Sequence, residues 1–507
     1  MLSKVTGFGL SGLKGFAVSV EIDIHSGMPA YETVGLPDAA VRESKERVRS
    51  ALTNSGFRYP ADRIIVNLAP ADTRKEGAFF DLPIALGIAA ASGQLPAESL
   101  SDCVVLGELS LSGEVCRIDG LLPLLISARE AGFRRFIIPK GNAREASFID
   151  GTQIYAVSTL SEAADFLCGE LNLEPVPPGK YESGRVGTDR DFKYVKGQLA
   201  AKRALEIAAA GGHNVLLIGP PGSGKTMLAK AMVSILPELS FDEALEVTKI
   251  HSVCGELDPE EGIVRVRPFR SPHHTATTPA LAGGGKNLRP GEISLAHAGV
   301  LFLDEMPEYS RNVLEALRQP LEDGTVTVSR AAGSAEYPAR FMLIASMNPC
   351  PCGHYGSAEA TRCRCSQKDI RKYASRISGP LLDRIDLHAE ADSITYGEMS
   401  EASLSESSES VRARVSAARA VQRARFGSSG CNADMEAAEI TAHCKLAEGC
   451  AKLLEQAFDR LGLSARGYSR ILKVARTIAD LAGEELIQRV HIAEAIQYRT
   501  LDRKYWA

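Results

Sequence analysis

The most constraining stretch of the chain is Gly219-Pro220-Pro221-Gly222-Ser223-Gly224-Lys225-Thr226. It matches G-x-x-x-x-G-K-[ST] at every fixed position, follows an apolar run at 214–218 and opens an apolar helical stretch at 227–236. A strand, a tight glycine turn and a helix in that order aim successive backbone N–H groups at phosphate oxygens, and the helix N-terminus adds a favourable dipole. Lys225 is therefore expected on the β- and γ-phosphates of a nucleotide, with the Thr226 hydroxyl on Mg²⁺. Such a unit calls for a parallel sheet covered on both faces.

Two more apolar runs complete the pattern. Residues 299–303 end in Asp304-Glu305, and residues 341–345 end in Ser346-Met347-Asn348. The C-terminal ends of parallel strands are where ligands bind in open α/β sheets. Asp304 is expected to hold Mg²⁺ through water, Glu305 to polarise the attacking water, and Asn348 to orient that water from the opposite side. Further on, Arg384 stands between Asp383 and Asp386, a pattern that fits either a local salt bridge or a functional cation.

The 507 residues suit roughly three domains at about 150 residues each. With 45% hydrophobic and 24% charged residues, a wholly disordered chain, a collagen and a small disulfide scaffold are excluded. No apolar run approaches the roughly 20 residues of a membrane span. The first residues lack the apolar stretch and cleavage site of a signal peptide, so a cytoplasmic location is expected. The net charge of −5 lies entirely in residues 1–170, leaving the remainder neutral, so any nucleic-acid footprint has to be local.

Residues 1–172 alternate strand-like stretches (16–24, 63–68 and 136–139) with helical ones (39–55 and the almost wholly apolar 81–92). A Pro- and Gly-containing linker at 173–191 leads to an α/β core at 192–394. Residues 395–507 read as helices, where an exposed basic helix face is a reasonable reading for Arg476 and a weaker one for Arg466.

Eleven cysteines are an odd number, and with no secretory signal they are expected reduced. Seven are scattered and read as small core residues. Cys350-Pro351-Cys352 and Cys363-Arg364-Cys365 form two close pairs separated by ten residues. Four thiolates so placed suit a closed, tetrahedral, structural Zn²⁺ site, the alternative being reduced structural cysteines. Metal loss there is expected to displace Asn348.

Taken together, these residues resemble the Mg-chelatase-like AAA+ ATPases of the ComM/YifB type, over nearly the whole chain. Gly197-Gln198, the stretch 208–214, Ser271-Pro272-His273-His274-Thr275 and the stretch 378–387 add to the likeness. The resemblance implies an α/β multidomain chain: a Lon-protease-like α+β N-terminal domain, a P-loop AAA+ parallel α/β core and a C-terminal all-α lid. It implies a homo-oligomeric ring, usually a hexamer, in which Arg384 reaches the γ-phosphate held by the neighbouring subunit, Arg376 being the competitor. Arg466, with Arg470 one turn on, is implied at the start of a lid helix that touches the same subunit's phosphates.

The N-terminal resemblance carries no protease dyad. Phe79 stands where the Lon-type serine would be and Leu122 where the lysine would be, which argues against proteolysis. The runs 322–330 and 334–339 around Ala331-Ala332-Gly333 read as a hairpin, which in the resembling family projects toward the ring pore. Arg330 near its tip, with Lys286 and Arg289 beside a triple-glycine loop, are candidate phosphate-backbone contacts, an ordinary solvated insertion being the alternative. The function implied is an ATP- and Mg²⁺-dependent ring motor on single-stranded or branched DNA, a helicase or branch-migration translocase in homologous recombination or natural transformation. The alternative is a Mg-chelatase-like ATPase chaperone that remodels a protein partner.

Overall fold

The computed structural model describes residues 2–184, 187, 190–285, 288–330, 333–356, 362–392, 405–427 and 430–506. The chain divides into two units, Met1–Glu182 with Phe241–Val264, and Ser183–Ser240 with Arg265–Ala507.

The first unit contains β1 (Leu2–Ser11), β2 (Lys14–His25), β3 (Ala30–Val34), β4 (Arg63–Ala69), β5 (Cys103–Val105), β6 (Glu108–Leu109), β7 (Val115–Cys116), β8 (Arg135–Pro139) and β9 (Gln153–Val157). Seven of them form one sheet in the order β3-β4-β2-β1-β5-β8-β9. β1 and β2 are antiparallel, with Val5 opposite Val20, while β5, β8 and β9 continue the sheet in parallel. The helix Asp81–Ala91 is apolar nearly all round, and every one of its residues is buried. A helix without a polar face belongs inside a core, as its sequence indicated. Phe79 packs against the same apolar cluster that contains Leu122, so hydrocarbon fills the place where the resemblance would put a serine and a lysine.

The segment Phe241–Val264 leaves the α/β core in sequence and folds with the first unit. Its anchor is polar. The carbonyl of Ser252 accepts the Gly120 N–H at 3.0 Å, and the Ser252 hydroxyl donates to the buried Glu145 carboxylate. Glu145 also accepts from the Leu122 N–H at 3.1 Å and from Asn142 at 3.0 Å. Burial pushes its carboxyl above the usual range.

The second unit contains β10 (Val215–Ile218), β11 (Phe269–Arg270), β12 (Gly283–Gly284), β13 (Arg289–Pro290), β14 (Val300–Leu303), β15 (Thr325–Arg330), β16 (Gly333–Pro338), β17 (Met342–Met347) and β18 (Leu387–Glu390). Five strands form a parallel sheet, β11-β14-β17-β10-β18. β10, β14 and β17 are buried along their whole length, which is why they read as continuous apolar runs rather than alternating ones. The C-terminal helices Ser408–Phe426 and Ala465–Ala482 share one apolar core with this sheet.

Arg476 corrects the sequence reading. It is 1% exposed, pairs with Asp480 at 3.1 Å and donates to the Glu485 carbonyl at 2.6 Å. Its helix is packed on both sides, so the guanidinium is met by a carboxylate buried beside it rather than by water. The scattered cysteines are also mixed rather than uniformly core: Cys103, Cys444 and Cys450 are buried, but Cys168 is exposed.

Candidate nucleotide site

The turn between β10 and the helix Lys225–Ile235 is an open cradle. Gly222 and Gly224 have φ of +79° and +85°, and a Cβ at either would meet nothing within 4 Å. Only glycine takes such a backbone without strain. The Lys225 ammonium lies inside the turn, donating to the carbonyls of Gly219 at 2.8 Å and Pro220 at 2.9 Å and to Asn348 Oδ1 at 3.3 Å. Burial lowers its pKa, with Asp304 and Glu305 opposing that shift. The Ser223 hydroxyl is buried with no hydrogen-bond partner among the described residues. A desolvated cation and an orphaned hydroxyl around an empty glycine turn fit a phosphate chain. Gln198, which the sequence reading passed over as a role, braces this turn by donating to the carbonyls of Ser223 (3.0 Å) and Asp392 (2.6 Å).

The sheet order places β17 between β10 and β14, so Asn348 lies between the cradle and the acidic pair. The Thr226 hydroxyl donates to Asp304 Oδ2 at 2.9 Å, joining the two expected Mg²⁺-side residues. Hard oxygen donors of this kind fit Mg²⁺. Glu305 has φ +50°, a left-handed conformation that costs a non-glycine residue roughly 1 kcal/mol or more. Ser346 offsets part of that cost. Its hydroxyl donates to Asp304 Oδ1 and accepts the Glu305 N–H at 3.0 Å, while the residue itself is fully buried. Its place at the end of an apolar strand was the available sequence signal.

The arginines gather elsewhere in the unit. Arg384 pairs with Glu322, not with Asp383 or Asp386, and Arg466 approaches the same Glu322 at 3.9 Å. The Arg384 hydrogen bond, followed by both positive charges, holds the Glu322 carboxyl below its ordinary range. Arg376 is engaged by Glu308 at 2.8 Å. Arg470 lies 3.3 Å from the buried Asp386, which also faces His213 at 3.4 Å. Burial alone would raise the Asp386 carboxyl, but His213 and Arg470 pull it down to about 2.

The four clustered cysteines converge. Their Sγ atoms all lie within 4.8 Å of one another, three of the separations being 3.4, 3.8 and 3.7 Å. Of the candidate DNA contacts, Arg289 is exposed on the β12–β13 hairpin, which adjoins β15 at Val328 and β16 through the Tyr337 hydroxyl, donating to the Leu288 carbonyl. The backbone of Arg330 ends β15 as expected; its side chain and Lys286 lie outside the described residues.

A parallel sheet of this order, with a phosphate cradle, an acidic pair and a polar strand end on one edge, defines a P-loop ATPase of the AAA+ class. Three family descriptions fit the chain: "Magnesium chelatase, subunit ChlI" over residues 191–399, "Subunit ChlI of Mg-chelatase" over 20–142 and "Magnesium chelatase, subunit ChlI C-terminal" over 405–499. The chain belongs to the Mg-chelatase ChlI-like AAA+ ATPases, in the group that contains the ComM and YifB proteins. It is 46% identical over 497 residues to competence protein ComM of Haemophilus influenzae, covering 97% of this chain and 96% of that one. YifB of Escherichia coli is 45% identical over 493 residues, 97% of this chain and 96% of its own. The magnesium-chelatase 38 kDa subunit of Rhodobacter capsulatus is 28% identical over 177 residues, 31% of this chain and 50% of its own. No helix among the described residues is long and apolar enough to cross a membrane.

Proposed function

We propose that the chain is an ATP-driven motor on DNA, a homohexameric helicase or branch-migration translocase serving homologous recombination or natural transformation. The observation that carries this reading is the pair of adjoining hairpins, β12–β13 and β15–β16, which present Arg289 and the end of β15 at Arg330 on the unit that holds the nucleotide site. A ring of such subunits repeats these cations around a channel, enough for sequence-independent phosphate binding. The near full-length match to a protein named for competence supports the same reading.

In the ATPase cycle, Lys225 binds the β- and γ-phosphates and Glu305 draws a proton from the attacking water, which Asn348 helps to orient. Thr226 and Asp304 would hold Mg²⁺, which when bound would supply charge neutralisation on the phosphates. Arg384 reaches the γ-phosphate held by the neighbouring subunit and Arg466 the phosphates of its own subunit, and in this structure both side chains approach Glu322. The four cysteines of the loop would hold Zn²⁺.

The test is ATP hydrolysis by the full chain with single-stranded, branched and no DNA. Stimulation by branched or single-stranded DNA, with strand displacement or junction migration, is expected. Absence of both would overturn the DNA reading in favour of a Mg-chelatase-like chaperone, which the ChlI descriptions favour as the second reading.

A further inference from the structure

The segment that follows Asn348 has little apolar sequence to hold it. Between Cys350 and Cys365 the described residues are mostly polar, glycine or cysteine, yet Cys350 is fully buried. The Sγ–Sγ separations of 3.4–3.8 Å are well beyond the roughly 2.05 Å of a disulfide. They are close to the edge of a tetrahedron, about 3.8 Å for Zn–S bonds of about 2.3 Å. The Tyr355 N–H points at Cys350 Sγ from 3.4 Å, the sort of donor that steadies a metal-bound thiolate.

The loop leans on the nucleotide cradle. Gly353, at φ +84°, comes so near the P-loop that a Cβ there would lie 2.4 Å from Pro221 Cδ. Upstream, Asn348 accepts a hydrogen bond from Lys225 at 3.3 Å. Downstream, the Tyr355 ring meets Tyr505 edge-on at 6.3 Å and Gly356 approaches Lys504, both on the C-terminal helix Leu501–Trp506.

We propose that Cys350, Cys352, Cys363 and Cys365 bind one structural Zn²⁺, and that the metal-held loop is a brace that keeps Pro221 and Asn348 in place for nucleotide binding. Soft thiolates in a tetrahedral set select Zn²⁺ over the hard Mg²⁺ of the nucleotide site. All four positions are filled by protein, so the site has no room for water or substrate and its role is mechanical. This deepens the ATPase reading and is independent of the DNA reading.

The experiment uses full-length protein purified without chelator. Elemental analysis is expected to find about one zinc per chain, unchanged in Cys168→Ser and lost in the Cys363→Ser/Cys365→Ser double variant. Stripping zinc from the parent protein with a chelator is expected to weaken binding of a fluorescent ATP analogue at least about tenfold, reversed by Zn²⁺ alone. Gly353→Ala is expected to keep its zinc and still bind the analogue more weakly, because its methyl meets Pro221. The parent protein's own stripping and reloading keeps the test intact if the double variant fails to fold. Protein without zinc, or with iron in its place, overturns the metal assignment. Zinc removal that leaves nucleotide affinity unchanged overturns the brace. No DNA enters either measurement, so failure here is separable from failure of the DNA reading.

Discussion

Replacing Ser346 by alanine isolates the catalytic geometry from nucleotide binding. The hydroxyl makes two bonds at once, donating to Asp304 Oδ1 and accepting the Glu305 N–H at 3.0 Å. One partner is a carboxylate and the other belongs to a residue held at φ +50°. A hydrogen bond to a charged group is worth about 1.5–3 kcal/mol, and the Glu305 N–H keeps a second acceptor in Asp304 Oδ1 at 3.2 Å, so the loss is chiefly that of the bond to the Asp304 carboxylate. The substitution adds no bulk and touches none of the phosphate-binding residues, so the loss falls on the aim of Asp304 and Glu305. If about 1.5–3 kcal/mol of that alignment is used in the transition state, kcat drops by about 10- to 100-fold. Affinity for ATP should change by less than about threefold, since Lys225 and the cradle are untouched. The assay is steady-state phosphate release beside equilibrium binding of a fluorescent nucleotide, with a melting curve to confirm folding. A folded Ser346→Ala protein with kcat within twofold of the parent would refute the reasoning, because the carboxylates would then be aimed by something else.

Lys225→Ala is expected to lose nucleotide binding, whereas Glu305→Gln should bind ATP and hydrolyse it at least about 100-fold more slowly; equal ATP affinity in Lys225→Ala and the parent would sink the assignment. Rings mixed from Arg384→Ala and Lys225→Ala subunits should recover part of the activity, because an intact Lys225 can then face an intact Arg384. Arg466→Ala subunits mixed with Lys225→Ala subunits should recover nothing, because both residues serve their own subunit's site, whereas no recovery with Arg384→Ala in rings shown to be mixed would count against its action across subunits. Asp386, with its folded pKa at about 2 against an ordinary 3.8, contributes stability that is fully present above about pH 4 and lost as pH falls through 2, about 2 kcal/mol in all. Acid melting curves should show that loss in the parent, and it should be missing from Asp386→Asn, which should start about 3–5 kcal/mol less stable because Arg470 is left buried without its carboxylate.

The nucleotide cradle was legible in the linear sequence because its chemistry is local. A strand, a glycine turn and a helix N-terminus occupy consecutive residues, and their backbone angles follow from residue type: Gly222 and Gly224 can take positive φ and Lys225 follows them directly. The placement of Asp304, Glu305 and Asn348 was legible for a related reason, since an apolar run delivers its next residues to one edge of a parallel sheet. The hairpin at β15–β16 and the buried helix Asp81–Ala91 were legible from alternation and from the lack of a polar face. The pairing of Arg384 with Glu322, 62 residues away, was not. Neither was the sharing of that acid with Arg466, the hold of Ser346 on residues 41 and 42 positions upstream, or the burial of Arg476. An ion pair or hydrogen bond across the fold depends on which faces the chain brings together, and residue type is silent on that. The segment Phe241–Val264 makes the same point: the unit it joins is set by long-range contacts, among them Ser252 with the Glu145 carboxylate and the Gly120 backbone, Arg117 with the Leu257 carbonyl, and Leu245 against the first unit's core. The cysteine loop stands between the two cases, since spacing set out two close cysteine pairs, while folding brought their sulfurs together and laid Gly353 against Pro221.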